Sequence, residues 1–179
     1  METLEAQTCP VCFAKTLNLS EDRANIPHFG NIYIMTMDCE SCGFRKSDID
    51  SEDTHDPVRL EFEISEADDM TVRFVKSSEA HIFFPDLKVD IEPGVGAEGY
   101  VANLEKALED LMEILNQQKE AEESKPKKKK LRQMIETILD AKEGKAKLKI
   151  IVEDPTGNSG IISEKTVKFK LKSSKKKGK

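Results

Sequence analysis

From Pro57 to Ile64 apolar and charged residues alternate, with Val58, Leu60, Phe62 and Ile64 on one face and Arg59, Glu61 and Glu63 on the other. Side chains of a strand point to opposite faces in turn, so this pattern predicts a strand buried on one side. Met70, Val72 and Phe74 repeat it, and so do Leu87, Val89 and Ile91. The period then changes. From Tyr100 to about Glu122 the positions Val101, Leu104, Leu108, Leu111, Met112 and Leu115 follow helical spacing, and Gly99 is the last breaker before them. Ser124-Lys125-Pro126 interrupts, and proline suits the first turn of a second helix with the stripe Leu131, Met134, Ile135, Ile138, Leu139 and a stop at Gly144. A helical hairpin over about 100–143 is predicted. Alternation returns at Ala146, Leu148, Ile150 and Val152, the run from Asp154 to Gly160 (DPTGNSG) is a dense turn signal, and short strands follow around Ile161-Ile162 and Val167-Phe169-Leu171.

Strands on both sides of two adjacent helices predict an antiparallel β domain over 57–171 with an inserted hairpin. They exclude a doubly wound parallel sheet, in which strands and helices alternate throughout. The N-terminal part differs. Gly30 to Met37 reads as a strand rich in β-formers, and Ser47 to Asp56 (SDIDSEDTHD), polar and without period, reads as a connection. The fold class is therefore α+β, with a small module over 1–50 ahead of the β domain. The lysines from Lys172 to Lys179 read as a basic, disordered tail, since nothing aromatic is interleaved with them.

The small module carries all four cysteines, in two tight pairs: Cys9-Pro10-Val11-Cys12 and Cys39-Glu40-Ser41-Cys42. The N-terminal residues are acidic and polar, without the basic and apolar regions of a secretion signal, so the expected location is the cytoplasm, where thiols stay reduced. Two Cys-x-x-Cys turns, 26 residues apart, each bring two sulfurs to one ion and complete a tetrahedron that suits Zn²⁺. With Cys9, Cys12, Cys39 and Cys42 all spent as ligands, no position is left for water or substrate, so one structural zinc is expected. A single iron would also fit four thiolates, as in rubredoxin-like carriers. Phe13 after the first pair, where such carriers have glycine, and the lack of any Trp favour zinc. Lys15, Arg45 and Lys46 are the nearest cations in sequence to the formal −2 charge of the site, and they read as ordinary solvated surface.

Candidates for catalysis are few. His28 precedes a strand and reads as a packing residue, while His55 and His81 join no nucleophile in the sequence pattern. The stretch from Gly94 to Gly99 lacks the strand-to-helix setting of a nucleotide loop and reads as a flexible lead into the hairpin. We expect no enzyme, no small-molecule substrate and no membrane association. The formal net charge of −6 hides an asymmetry: residues 1–118 hold 9 Lys/Arg against 25 Asp/Glu, and residues 119–179 hold 19 against 9. An acidic body opposes nucleic-acid binding over most of the surface, whereas Lys127 to Lys130 and the tail are able to meet phosphates or an acidic partner.

Several of these segments together resemble the ZPR-type zinc-finger family, in the short single-module form found in archaea. They are Cys9-Pro10-x-Cys12, Asn25 to Phe29 (NIPHF), Ile34-Met35, Cys39-x-x-Cys42-Gly43, Ile91 to Gly94 (IEPG), Glu98-Gly99 and Asp154 to Ser159 (DPTGNS). The resemblance runs to about Phe169. It implies a finger like that of initiation factor two-beta, followed by a double-stranded β-helix domain with an inserted helical hairpin. It also implies binding of a translation elongation factor of the one-alpha type, whose folding eukaryotic relatives with two tandem modules assist. The competing expectation is a nucleic-acid-binding zinc ribbon using Lys127 to Lys130 and the Lys-rich tail. The Asp154–Ser159 loop is expected to be a turn in which Asp154 caps backbone N–H groups and Gly157 takes a positive φ; its alternative role is a partner contact.

Overall fold

The computed structural model describes residues 2–26, 30–52, 55–94 and 96–171. His28 and the tail from Lys172 to Lys179 lie outside these residues. The chain begins with a four-stranded antiparallel meander of β1 (Glu2–Gln7), β2 (Leu17–Ile26), β3 (Gly30–Cys39) and β4 (Arg45–Ser51) in the order β1-β2-β3-β4. The segment from Ser47 to Ser51, expected as a connection, is thus part of a strand. Its residues pair with β3 from Ile32↔Ser51 to Thr36↔Ser47, and only Ile49 of β4 is buried, so a polar strand gave no apolar alternation to read.

Two further sheets form the second unit. One has the order β12-β5-β10-β7-β8, from β12 (Val167–Lys170), β5 (Val58–Ile64), β10 (Leu148–Asp154), β7 (His81–Phe84) and β8 (Val89–Ile91). The other has the order β11-β6-β9, from β11 (Gly160–Ile162), β6 (Arg73–Lys76) and β9 (Tyr100–Asn103). All described pairings are antiparallel. Between β9 and β10 lies the predicted hairpin, α1 (Leu104–Ala121) and α2 (Lys125–Lys142), with Pro126 in the first turn of α2 and Gly144 at φ +71 beyond its end. One core joins both sheets to the hairpin: Leu60, Phe62 and Ile64 of β5, Phe74 of β6, Leu148, Ile150 and Val152 of β10, and Leu104, Leu108, Leu111 and Leu115 of α1 are all buried. The alternation in β5 and β10 and the helical spacing in α1 are the direct cause of that burial.

Three boundaries differ from the expectation. Tyr100 to Asn103 is strand, because these residues hydrogen-bond along β6 from Arg73↔Asn103 to Lys76↔Tyr100, and α1 begins only at Leu104. Met70 sits in a 3₁₀ turn over Ala67–Thr71, and β6 starts at Arg73. There Asp69 Oδ2 accepts the N–H groups of Ser65 and Glu66 at 2.8 and 3.1 Å, which folds the chain back on itself. Leu87 lies in the turn after β7, donating its N–H to the carbonyl of Phe84 at 3.1 Å.

The finger and the β domain share a second core, in which Ile26, Ile32 and Ile49 pack with Val75, flanked by Val101 and Ile162. Polar contacts reinforce it: Ser78 Oγ donates to Asp48 at 2.9 Å, Asn158 Nδ2 to Asp50 at 3.1 Å, and the N–H of Gly99 to the carbonyl of Ser47 at 3.1 Å. A Cβ on Gly99 would come within 2.9 Å of the Ile49 nitrogen, so this glycine is a close-approach residue and not a flexible lead into a helix.

In the Asp154–Ser159 loop Asp154 accepts the Thr156 N–H at 2.8 Å and Gly157 has φ +75, as a turn requires. A Cβ on Gly157 would lie 2.4 Å from the Asp56 carbonyl oxygen and 2.6 Å from His55 Cβ. Gly157→Ala therefore combines an unfavourable φ with a backbone clash and should lower stability by about 2 kcal/mol or more. Chemical denaturation reads this directly, and a loss below about 0.5 kcal/mol, the range of neutral surface changes, contradicts it.

Candidate metal centre

The two cysteine turns are built alike. In the first, the Cys9 N–H donates to the Ala14 carbonyl at 2.9 Å and the Phe13 N–H to the Cys9 carbonyl at 3.0 Å. In the second, the Cys39 N–H donates to Phe44 at 2.8 Å and the Gly43 N–H to Cys39 at 2.9 Å. The residue after each second cysteine is left-handed, Phe13 at φ 61 and Gly43 at φ 70. Pairing of Leu17 with Cys39 in the β2/β3 ladder brings the turns together, and Cys9, Leu17 and Cys39 are buried with Leu19 and Phe44 against them.

The four sulfurs all lie within 4.8 Å of one another. Cys9 Sγ is 3.7 Å from Cys42 Sγ, and Cys12 Sγ is 3.7 Å from Cys39 Sγ. A regular tetrahedron with Zn–S bonds of about 2.3 Å has sulfurs about 3.8 Å apart, so the donor set fits one zinc ion. The surrounding donors suit thiolates: the Val11 N–H lies 3.4 Å from Cys9 Sγ and the Thr16 hydroxyl 3.4 Å from Cys39 Sγ. Thr16, together with the N–H groups of Cys42 and Ser41, holds the Cys39 thiol down at about 6. At Cys42 the Phe44 N–H pulls the same way, but loss of water and the three neighbouring sulfurs outweigh it and push this thiol up to about 12. Four sulfurs by themselves do not all ionise near neutral pH. A divalent cation supplies the missing attraction and displaces the remaining protons.

Arg45, one of the cations nearest in sequence, pairs with Asp38 at 3.8 Å, so the donors found on the sulfurs are N–H groups and a hydroxyl. Thr16 was not singled out by sequence; its one signal is a hydroxyl residue between the first turn and a strand. The unusual backbone of Phe13 was legible only by aligning it with Gly43. Both described histidines have polar partners: His55 Nε2 lies 2.8 Å from Ser51 Oγ, and His81 pairs with the Asp90 carboxylate. Lys127 to Lys130 occupy the first turns of α2, where Lys127 Nζ is 3.6 Å from Glu122. No helix among the described residues is long and apolar enough to cross a membrane.

Residues 1–56 match the ZPR1 zinc-finger domain, and residues 68–176 match the ZPR1 jelly-roll domain. A ZPR1-like protein of Methanocaldococcus jannaschii is 38% identical over 92% of this chain and 83% of its own length. A ZPR1-like protein of Pyrococcus horikoshii is 36% identical over 91% of this chain and 75% of its own. The zinc finger chaperone zpr1 of Schizosaccharomyces pombe is 28% identical over 76% of this chain, a match that spans 30% of that protein.

Proposed function

The chain thus belongs to the ZPR1 family, as a zinc ribbon followed by a jelly-roll domain with a helical hairpin, and from that premise we propose that it works by binding protein rather than by catalysis. The observation that carries this reading is Phe13. A bulky residue at φ 61 costs roughly 1–2 kcal/mol against glycine, which occupies the matching position of the other turn. Yet Phe13 is 76% exposed and Val11 beside it 58%, so the fold gains little from the aromatic ring. An exposed aromatic held on a rigid metal-bound turn suits a contact anchor.

The partner we propose is a translation elongation factor of the one-alpha type, bound while it folds. The resemblance to the ZPR family suggests it, and the word chaperone in the name of the fission-yeast relative supports a protein client. The stretch from Ser47 to Asp69 is acidic in sequence, and although Asp56, Glu61, Glu63, Glu66 and Asp69 pair with lysines or Arg59, its excess of carboxylates suits a basic face on such a factor, with salt-sensitive association. Cytoplasmic residence is part of the same proposal.

Affinity capture from host lysate at low salt tests it. Wild type should retain the elongation factor, and Phe13→Gly should weaken capture about tenfold, the equivalent of 1.4 kcal/mol, while thermal stability is unchanged or raised. Recovery of nuclease-sensitive ribosomal material in place of the factor would overturn the reading in favour of a nucleic-acid ribbon.

A further inference from the structure

The antiparallel pairing of β7 with β8 sets Ile82 opposite Ile91 and Phe83 opposite Asp90. Ile82 and Phe84 enter the core, so the alternate residues of this hairpin, His81 and Phe83 with Asp90 and Glu92, share the outer face. The imidazole of His81 lies against the Phe83 ring, centroids 4.1 Å apart, and directs Nε2 to the Asp90 carboxylate. Ligand atoms of His81, Asp90 and Glu92 all fall within 4.8 Å of one another. Among the described residues no lysine or arginine forms an ion pair with Asp90 or Glu92, although the two carboxylates crowd one another.

We propose that His81, Asp90 and Glu92 form a second divalent-metal site, separate from the four-cysteine centre. Two like charges beside an imidazole nitrogen gain from a cation that bridges them, and the β7/β8 pairing holds Asp90 beside His81 before the ion arrives. One nitrogen and two oxygens make a borderline donor set, suited to Zn²⁺, Co²⁺ or Ni²⁺ rather than to ions that prefer oxygen alone. Three protein ligands on an exposed sheet edge leave coordination positions to water, so this ion exchanges and the thiolate-bound zinc does not.

The test uses the full chain already loaded with one zinc, titrated with Co²⁺ alone and followed by calorimetry and NMR, with zinc content measured before and after. We expect one saturable cobalt per chain, zinc content unchanged, and paramagnetic broadening centred on His81, Phe83 and Asp90. Removing a ligand should cost at least as much as losing an outer-sphere partner, so His81→Asn and Glu92→Gln should each weaken binding by about tenfold or more. Glu92 is exposed and takes no core position, so Glu92→Gln keeps the test meaningful if His81→Asn fails to fold. No uptake at millimolar cobalt, or uptake that Glu92→Gln and His81→Asn leave unchanged, overturns the site.

Discussion

Serine in place of both Cys39 and Cys42 should reduce bound zinc from one per chain to none and unfold the ribbon. Zinc held by such turns contributes on the order of 10–16 kcal/mol in small peptides near neutral pH. The apolar residues packed at the centre are Leu17, Leu19 and Phe44, whose burial is worth a few kcal/mol in total and does not replace the metal. The effect should pass into the β domain. Ile26, Ile32 and Ile49 cover Val75, which is fully buried, together with Val101 and Ile162, and a molten ribbon returns this surface to water. We expect loss of dispersed amide signals from residues 2–51, and a β domain that stays folded with its melting temperature lowered by several degrees. Metal analysis, NMR and calorimetry on one preparation check all three. A variant with full ribbon dispersion and no zinc would refute the structural role of the metal.

Asp154→Ala should cost the β domain as much as truncating one of its core phenylalanines. Asp154 ends β10, is fully buried, and accepts hydrogen bonds from the hydroxyls of Ser77 at 2.8 Å, Ser159 at 2.6 Å and Thr156 at 2.7 Å as well as the Thr156 N–H. Ser77 follows β6 and Ser159 precedes β11, so one carboxyl group on the five-stranded sheet holds the ends of two strands of the three-stranded sheet. Both serines are themselves buried, so alanine at 154 strands their hydroxyls. At about 1–3 kcal/mol for each of these two buried hydroxyls, the expected loss is about 2–6 kcal/mol. For a chain of this size that is a fall in melting temperature of roughly 10 °C. Asp154→Asn, which keeps one acceptor oxygen, should lose less. If Ala and Asn variants melt within a degree or two of wild type, water satisfies the hydroxyls and the carboxyl is not the clasp.

Of the twelve strands among the described residues, β1, β2, β4, β7 and β9 were not read from the pattern, and three of these share a reason. β1 is exposed throughout, β4 buries only Ile49, and β9 is four residues long, so none displays a one-sided apolar face. Each exists because a neighbouring strand offers unpaired backbone groups, and that offer is not written in the strand itself. The DPTGNS loop shows the opposite case. Asp, Gly and Asn at those offsets announce a turn locally, but the roles of Asp154 toward Ser77 and of Asn158 toward Asp50 depend on residues 77 and 108 positions away.

By itself the sequence determined what depends on short-range order: two Cys-x-x-Cys turns able to share one zinc, the strands β5 and β10 with alternating faces, and a helical hairpin whose second helix runs between Pro126 and Gly144. Those features follow from periods of two and 3.6 residues and from the reach of a tight turn, so neighbours in the chain suffice to specify them. Only the tertiary structure decided that the acidic stretch at 47–51 is a strand joining finger to jelly roll, that Thr16 bonds to Cys39, and that His81, Asp90 and Glu92 converge on one sheet edge. Each of these needs a register or a contact between distant segments, and register is fixed by the packing of whole sheets rather than by any one residue's preference.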